Sequence, residues 1–355
     1  MASLKHLVKR KARGGLAWLL HTTRLRRLFR GSRRGVPVLM FHNVGHPAET
    51  DYLPGHMKVG EERLERLLAE LTAGGDSTMT VGELVEAFER GELPRDKVVL
   101  TFDDGYRDNH DKLLPLLRRF EATATVFVQT GPMQGRVNWL HHYFWVLHHI
   151  GPHAVGRKLA EVVDSEPLRN QLLALPGDPT AAEYQLKRLL KYEVSTAQRD
   201  RLLAEVFRQI GGDDRALASQ VWLGEAECRA LDRAGVELGA HTVNHLVLSS
   251  LTPEEQRREI DGSRQDLERW LGHPVRSFAY PYGRSWDYNA DTVAILRELG
   301  FASAITAMPG LNDPRTDRMA LRRMAVNEEV PLAEVLCEVD GVFDWLERRG
   351  IALRT

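Results

Sequence analysis

The sequence predicts an α/β fold, and three stretches predict it. Residues 97–100 (Lys-Val-Val-Leu) form the β-branched apolar run of a strand covered on both faces. A helix over 111–120 leads directly into a second such run over 123–128, and a helix over 225–234 leads into a short strand over 235–240. Helices alternating with buried strands are the pattern of a parallel sheet.

Residues 1–35 hold eleven Lys or Arg and no acid, leaving 37 basic against 49 acidic residues in the remainder of a chain whose net charge is −1. Apolar residues recur there at helix-face spacings: Leu4, Leu7 and Val8, then Leu16, Leu19 and Leu20, then Leu25, Leu28 and Phe29. Gly14-Gly15 is expected to break the pattern. The uncharged run 14–23 is too short to span a bilayer and lacks a small-residue cleavage site, so no signal peptide is expected. A basic amphipathic helix lies on an anionic membrane, or packs its stripe on the body and leaves its charges in water. The expectation is a cytoplasmic protein with weak peripheral contact, through residues 1–35, at the inner membrane face. The acidic body and the lack of a recognition motif argue against nucleic-acid binding.

Next comes an apolar strand from Val36, ending in the polar pair His42-Asn43. Helices over 61–74 and 81–90 bracket a short strand, as in barrel repeats. At Thr101-Phe-Asp-Asp-Gly-Tyr-Arg-Asp108 the strand from Lys97 is broken by Gly105, which leaves Asp103 and Asp104 at its C-terminal mouth. That is where α/β folds keep their chemistry. Adjacent acids there can divide the labour, one holding a metal and the other acting as base, although Asp-Asp-Gly is also ordinary turn chemistry.

Residues 138–220 form a helical insertion, with helices expected over 139–150, 154–163, 181–192 and 195–210 and a loop at Leu175-Pro-Gly-Asp-Pro179. Such an insertion is placed to wall or cover a binding site. Its histidines, His141, His142, His148, His149 and His153, are interleaved with Tyr143, Phe144, Trp145 and Leu147. They look like a packed face rather than a second metal site, and Trp139, Tyr143 and Trp145 serve equally as core or as sugar-stacking rings.

His241-Thr-Val-Asn-His245 follows the strand over 235–240. Its histidines stand at i and i+4 and meet on one face if the segment turns helically. With an Asp-Asp strand end, they supply the imidazole and carboxylate donors of a hydrolytic divalent-metal site. Thr242 occupies the place where a zincin helix needs Glu, which argues against a metalloprotease.

In these segments the chain resembles the polysaccharide deacetylases of the NodB-homology type. Thr101–Tyr106 matches that family's first motif, His241–His245 its second, with Leu231–Ala240 as the usual approach, and Phe278-Ala-Tyr-Pro-Tyr-Gly283 a common form of its third. The resemblance covers about 36–136 and 221–330. It implies a distorted (β/α) barrel of about seven strands and metal-dependent removal of N-acetyl, sometimes O-acetyl, groups from a sugar.

Residue by residue, it implies that Asp104, His241 and His245 hold the metal, that Asp103 is the general base, and that the backbone N–H of Tyr282 helps hold the oxyanion. The metal would polarise the acetyl carbonyl and lower the pKa of its water. Two departures stand out. Ala279 occupies the place of an Arg that orients the base in many members, and Arg323, on a late strand, is the expected substitute. No histidine follows His273, where many members carry the general acid. In the branch that includes poly-N-acetylglucosamine deacetylases, a Phe-His or Tyr-His element resembles Phe41-His42 and makes His42 the expected acid.

At 355 residues the chain holds one large barrel or two ordinary domains. Cys228 and Cys337 give no disulfide framework and are expected to pack as small apolar residues. The resulting expectation is a metal-dependent N-deacetylase of a GlcNAc-containing oligo- or polysaccharide, using Zn²⁺ with Co²⁺, Ni²⁺ or Fe²⁺ as alternatives. A sugar O-acetyl esterase, a catalytically impaired carbohydrate-binding barrel and a membrane-surface scaffold are the alternatives.

Overall fold

The computed structural model describes residues 4–46, 48–351 and 353, with the side chains of residues 4–8 and Glu49 outside that set. The apolar face expected of Leu4, Leu7 and Val8 therefore lies outside the described residues. The chain opens with α1 (Leu4–Thr22), a 3-10 helix over Leu25–Ser32, and β1 (Val36–Phe41).

Contrary to expectation, α1 runs unbroken through Gly14-Gly15. Packing is the reason. Arg13 pairs with Glu334 at 2.7 Å and Glu338 at 2.8 Å, and a Cβ on Gly14 would sit 3.3 Å from Glu334 Oε1. The glycine permits close approach of two helices, which outweighs its poor helix propensity. Three further arginines of this basic segment are internal. Arg26 and Arg30 pair with Asp340, Arg30 also with Asp76, and the buried Arg33 donates to Val339 O at 3.0 Å.

There follow β2 (Asn43–Val44), β3 (Lys58–Val59), α2 (Glu61–Ala73), β4 (Ser77–Met79), α3 (Val81–Glu89) and β5 (Lys97–Phe102). A π turn (Asn109–Leu113) opens α4 (Leu114–Arg119), which leads to β6 (Thr125–Val128). Helices α5 (Trp139–Val162), α6 (Glu166–Leu173), α7 (Pro179–Tyr192), α8 (Thr196–Gln209) and α9 (Asp214–Val221) come next. The alternation resumes with α10 (Glu225–Arg233), β7 (Glu237–Ala240), α11 (Pro253–Leu271), β8 (Ser277–Ala279), α12 (Ala290–Glu298) and β9 (Ser303–Ile305). It ends with β10 (Leu311–Asn312), β11 (Met324–Ala325), α13 (Leu332–Val339) and α14 (Val342–Glu347).

Seven strands bond in the order β10-β1-β5-β6-β7-β8-β9, with β11 added to β1 and β4 to β5. All these pairings are parallel except β10 with β1. The sheet curls as a distorted barrel, and Leu321, just ahead of β11, bridges back to Ile305 of β9. Val99, Phe127, Ala279 and Ile305 from the strands, together with Leu321, pack with Leu84, Val85 and Phe88 of α3 in one buried cluster. Because the strands are parallel, their C-terminal ends face one way, and His42, Asp103, Gln129 and His241 each follow directly on such an end.

The chain divides into two compact units. One comprises residues up to 46, 55–130 and 222 onward; the other comprises 47–54 and 131–221. In the second unit, α5 joins two expected helices across a kink at Gly151 (φ 74°, ψ 162°), followed by Pro152. The helices α6 and α9 lie where only connecting chain was expected. Histidines of α5 have separate partners: Tyr52 Oη lies 2.7 Å from His141 Nδ1, and Asp214 Oδ1 lies 2.6 Å from His142 Nε2. Cys228 and Cys337 are buried and free. Among the described residues no helix is long and apolar enough to cross a membrane.

Candidate metal centre and active site

Asp103 and Asp104 leave β5 in different directions because the backbone turns between them. Asp104 has φ 73° and Gly105 φ 67°, and a Cβ on Gly105 would meet Val128 Cγ1 at 2.9 Å. Only glycine fits that second left-handed position. Six non-glycine residues have positive φ among those described, and four of them, Asp104, Thr242, His245 and Tyr282, belong to this site. Each such conformation costs of order 1–3 kcal/mol and persists where surrounding contacts impose it.

Those contacts are visible around 241–245. The segment is a turn rather than the helical face considered from sequence. His241 N–H donates to Val128 O (3.1 Å), His245 N–H to Thr242 Oγ1 (3.0 Å), and Val243 N–H to Glu259 O (3.2 Å). The Glu259 carboxylate of α11 also accepts from Asn244 N–H (2.8 Å) and Asn244 Nδ2 (2.6 Å). The turn brings the two imidazoles together with centroids 4.8 Å apart.

Asp104 Oδ1 lies 3.7 Å from His241 Nε2 and 3.5 Å from His245 Nε2. These separations are too long for good hydrogen bonds but suit donors that share one ion. Among the described residues these three form a group whose ligand atoms all lie within 4.8 Å of one another. His241 Nδ1 lies 2.7 Å from Ala279 O, an acceptor only, which assigns the proton to Nδ1 and leaves Nε2 with a lone pair. Burial lowers both histidines to about 4, so each is neutral at pH 7 as ligation requires. Burial also pushes the Asp104 carboxyl up, and neighbouring Asp103 adds to this. A cation would relieve both effects. The donor set therefore fits a divalent metal. Gln129 Nε2, 3.4 Å from Asp104 Oδ1, is a neighbour that sequence reasoning missed; its only signal is a polar residue directly after a buried strand.

Asp103 is held quite differently. Arg323, 1% exposed, donates Nη1 to Asp103 Oδ1 (2.6 Å) and Nη2 to Oδ2 (2.8 Å), while its Nε donates to Thr306 O (2.8 Å). Thr101 Oγ1 also accepts from Arg323 Nη1, at 3.2 Å. Burial alone would raise the Asp103 carboxyl. The charge of Arg323, followed by those of His241 and His42, overcomes that and holds it at about 2.

His42 is half-buried after β1, opposite the end of β5, where Asp103 N–H donates to Phe41 O (2.9 Å). It is close enough to act electrostatically on Asp103, Asp104 and His245. A network unforeseen from sequence fixes the backbone that follows it. Asp108 accepts from Val44 N–H (2.9 Å) and Asn43 Nδ2, and Asn109 Nδ2 donates to Asp108 (3.0 Å) and to His42 O (3.3 Å). Tyr282 (φ 63°) sets its ring 4.9 Å from that of His245, and a Cβ on the following Gly283 would lie 2.5 Å from Ala307 N. The structure thus gathers all seven sequence-selected residues at one mouth of one unit.

A family model described as polysaccharide deacetylase matches residues 90–174 and 205–304, just over half of the chain. YxkH of Bacillus subtilis (strain 168) is 21% identical over 293 residues, covering 82% of this chain and 71% of that protein. A shorter stretch of 91 residues is 32% identical to poly-beta-1,6-N-acetyl-D-glucosamine N-deacetylase of Escherichia coli (strain K12), covering 25% of this chain and 13% of that protein. Among solved structures, Streptococcus pyogenes deacetylase PplD in complex with acetate superposes with a TM-score of 0.56 at 19% identity, covering 85% of this chain and 96% of that one. IcaB from Ammonifex degensii gives 0.53 at 18% identity, covering 87% and 98%. These two likenesses concern the fold.

Proposed function

The chain belongs to the polysaccharide deacetylase family, and from that premise we propose that it is a metal-dependent hydrolase removing N-acetyl groups from a GlcNAc-containing oligo- or polysaccharide, in exopolysaccharide or cell-surface glycan metabolism. The carrying observation is the division of two adjacent acids, Asp104 facing two neutral imidazoles and Asp103 clamped by an arginine.

Asp104, His241 and His245 would hold the ion, with Zn²⁺ the first candidate for an Asp-His-His set. A divalent cation there supplies a Lewis acid for the acetyl carbonyl and acidifies water. Asp103, ionised at neutral pH, accepts the proton of the attacking water, and Arg323 keeps both of its oxygens oriented. The Tyr282 N–H donates to the oxygen that gains charge in the tetrahedral transition state. His42 gives a proton to the departing amine, which is a poor leaving group without one. The clamp of Arg323 on Asp103 weighs against an impaired barrel, since an arginine serves the base despite Ala279. The local likeness to a protein named for N-deacetylation supports nitrogen over oxygen as the acetyl carrier.

The test is to incubate the enzyme with β-1,6-linked GlcNAc oligomers, chitooligosaccharides and acetylated xylan, and to measure acetate and free amine together. Equal acetate and amine from either GlcNAc substrate supports the proposal. Acetate from xylan alone replaces it with an O-acetyl esterase.

A further inference from the structure

The N-terminal segment carries two faces, and the fold uses only one. On the inner face Ala17 is fully buried with Cys337, Val342 and Phe343, and Leu20 and Phe29 pack against them. Arg13, Arg26 and Arg30 are consumed by carboxylates of α13 and its surroundings. The other face is apolar without a use. Trp18 is 64% exposed, Leu19 51%, Leu25 47% and Leu28 78%. Four of the ten large apolar side chains exposed among the described residues thus fall within eleven consecutive positions. Scattered exposed apolar residues need no explanation, but a concentration of this kind marks an interaction surface.

Spacing places them on the solvent side. Lys11 and Trp18, seven apart in α1, share a helix stripe, offset from that of Arg13 and Ala17. Leu25 and Leu28 are three apart in a 3-10 helix, where such side chains eclipse. Around them Lys9, Lys11, Arg24 and Arg34 are exposed and form no ion pair among the described residues. No acidic residue occurs in the first 35 positions. A tryptophan and leucines among unpaired cations complement an anionic lipid surface, where the rings and alkyl chains enter the headgroup boundary and the cations meet lipid charge.

We infer that the outer face of α1 and the 3-10 helix after it docks this protein on anionic membranes, lying in the interface without spanning it. The inference is independent of the reaction proposed above.

The test is sedimentation of the full chain with vesicles of phosphatidylcholine, or of phosphatidylcholine mixed with phosphatidylglycerol. Wild type is compared with the double variant Trp18→Ser/Leu28→Ser and with the triple variant Lys9→Gln/Lys11→Gln/Arg24→Gln. All substituted side chains are exposed, so unfolding temperatures should match wild type and report intact folding. The expected result is binding to the mixed vesicles that weakens with salt and is lost in the double variant. The triple variant should fall by on the order of fivefold per charge removed. Absence of wild-type binding, or unchanged binding by the double variant, overturns the inference. So does a concentration-dependent dimer of the wild type that the double variant abolishes without vesicles, because the face then belongs to a second copy of the chain.

Discussion

Arg323 grips both carboxylate oxygens of Asp103, at 2.6 and 2.8 Å, across 220 positions of sequence. The pair is buried and bidentate, and the guanidinium is itself anchored by Thr306 O. Removing one member of such a pair leaves the other charge uncompensated. Arg323→Ala should therefore lower stability by about 3–5 kcal/mol and raise the Asp103 pKa as burial goes unopposed. Arg323→Lys should restore part of the stability but little of the activity, because an ammonium cannot hold both oxygens. Thermal unfolding with acetate-release kinetics across pH checks this. An Arg323→Ala enzyme with a wild-type pH profile would contradict it.

The two acids should separate experimentally. Asp104→Ala and His241→Ala should abolish metal uptake, measured by elemental analysis after dialysis against the ion. Asp103→Asn should retain metal and lose turnover. Near wild-type activity in Asp103→Asn would remove Asp103 as the base.

His42→Ala should bind metal normally and lose on the order of 10²–10⁴ in rate, the usual worth of a general acid. A fall of less than about tenfold would move the acid elsewhere. Asp108→Ala, which frees the backbone that follows His42, should give a smaller loss of the same kind, with metal content unchanged.

Acidification should act in two windows. The native histidines sit at about 4, below their ordinary 6.5, so between those values the unfolded chain binds protons that the native chain does not. The histidines' contribution to the stability of the metal-free protein should fall as pH drops from about 6.5 to about 4, against the opposite contribution of Asp108, which burial raises to about 8, and His245→Gln should remove part of that fall. Asp103 sits at about 2, below its ordinary 3.8, so its contribution is complete above 3.8 and lost as pH falls towards 2. Thermal unfolding of wild type and His245→Gln over this range checks both signs. Loss of activity on acidification should follow the histidines rather than Asp103.

Much of this was legible because it is local. The strand ending at Phe102 and the turn glycine after Asp104 place two acids at a mouth whatever the rest of the chain does. Arg323 could be selected by residue type and strand position, but its contact with Asp103 depends on how the barrel brings β11 beside β1. The 241–245 turn escaped a spacing argument because Glu259, on the following helix, holds it in a left-handed path. The helix runs through Gly14 for a related reason: the small size of that residue answers Glu334, more than three hundred residues away. Local chemistry could be read from the sequence, whereas contacts made only by the fold could not.

The most direct test of the central claim is acetate release from a β-1,6-linked GlcNAc oligomer by wild type as prepared, after chelation, and after Zn²⁺ or Co²⁺ is restored, with Asp103→Asn run in parallel. The account predicts that activity is lost on chelation and regained with metal in wild type, while Asp103→Asn takes up the same metal and releases no acetate. Undiminished acetate release from fully chelated enzyme would contradict it.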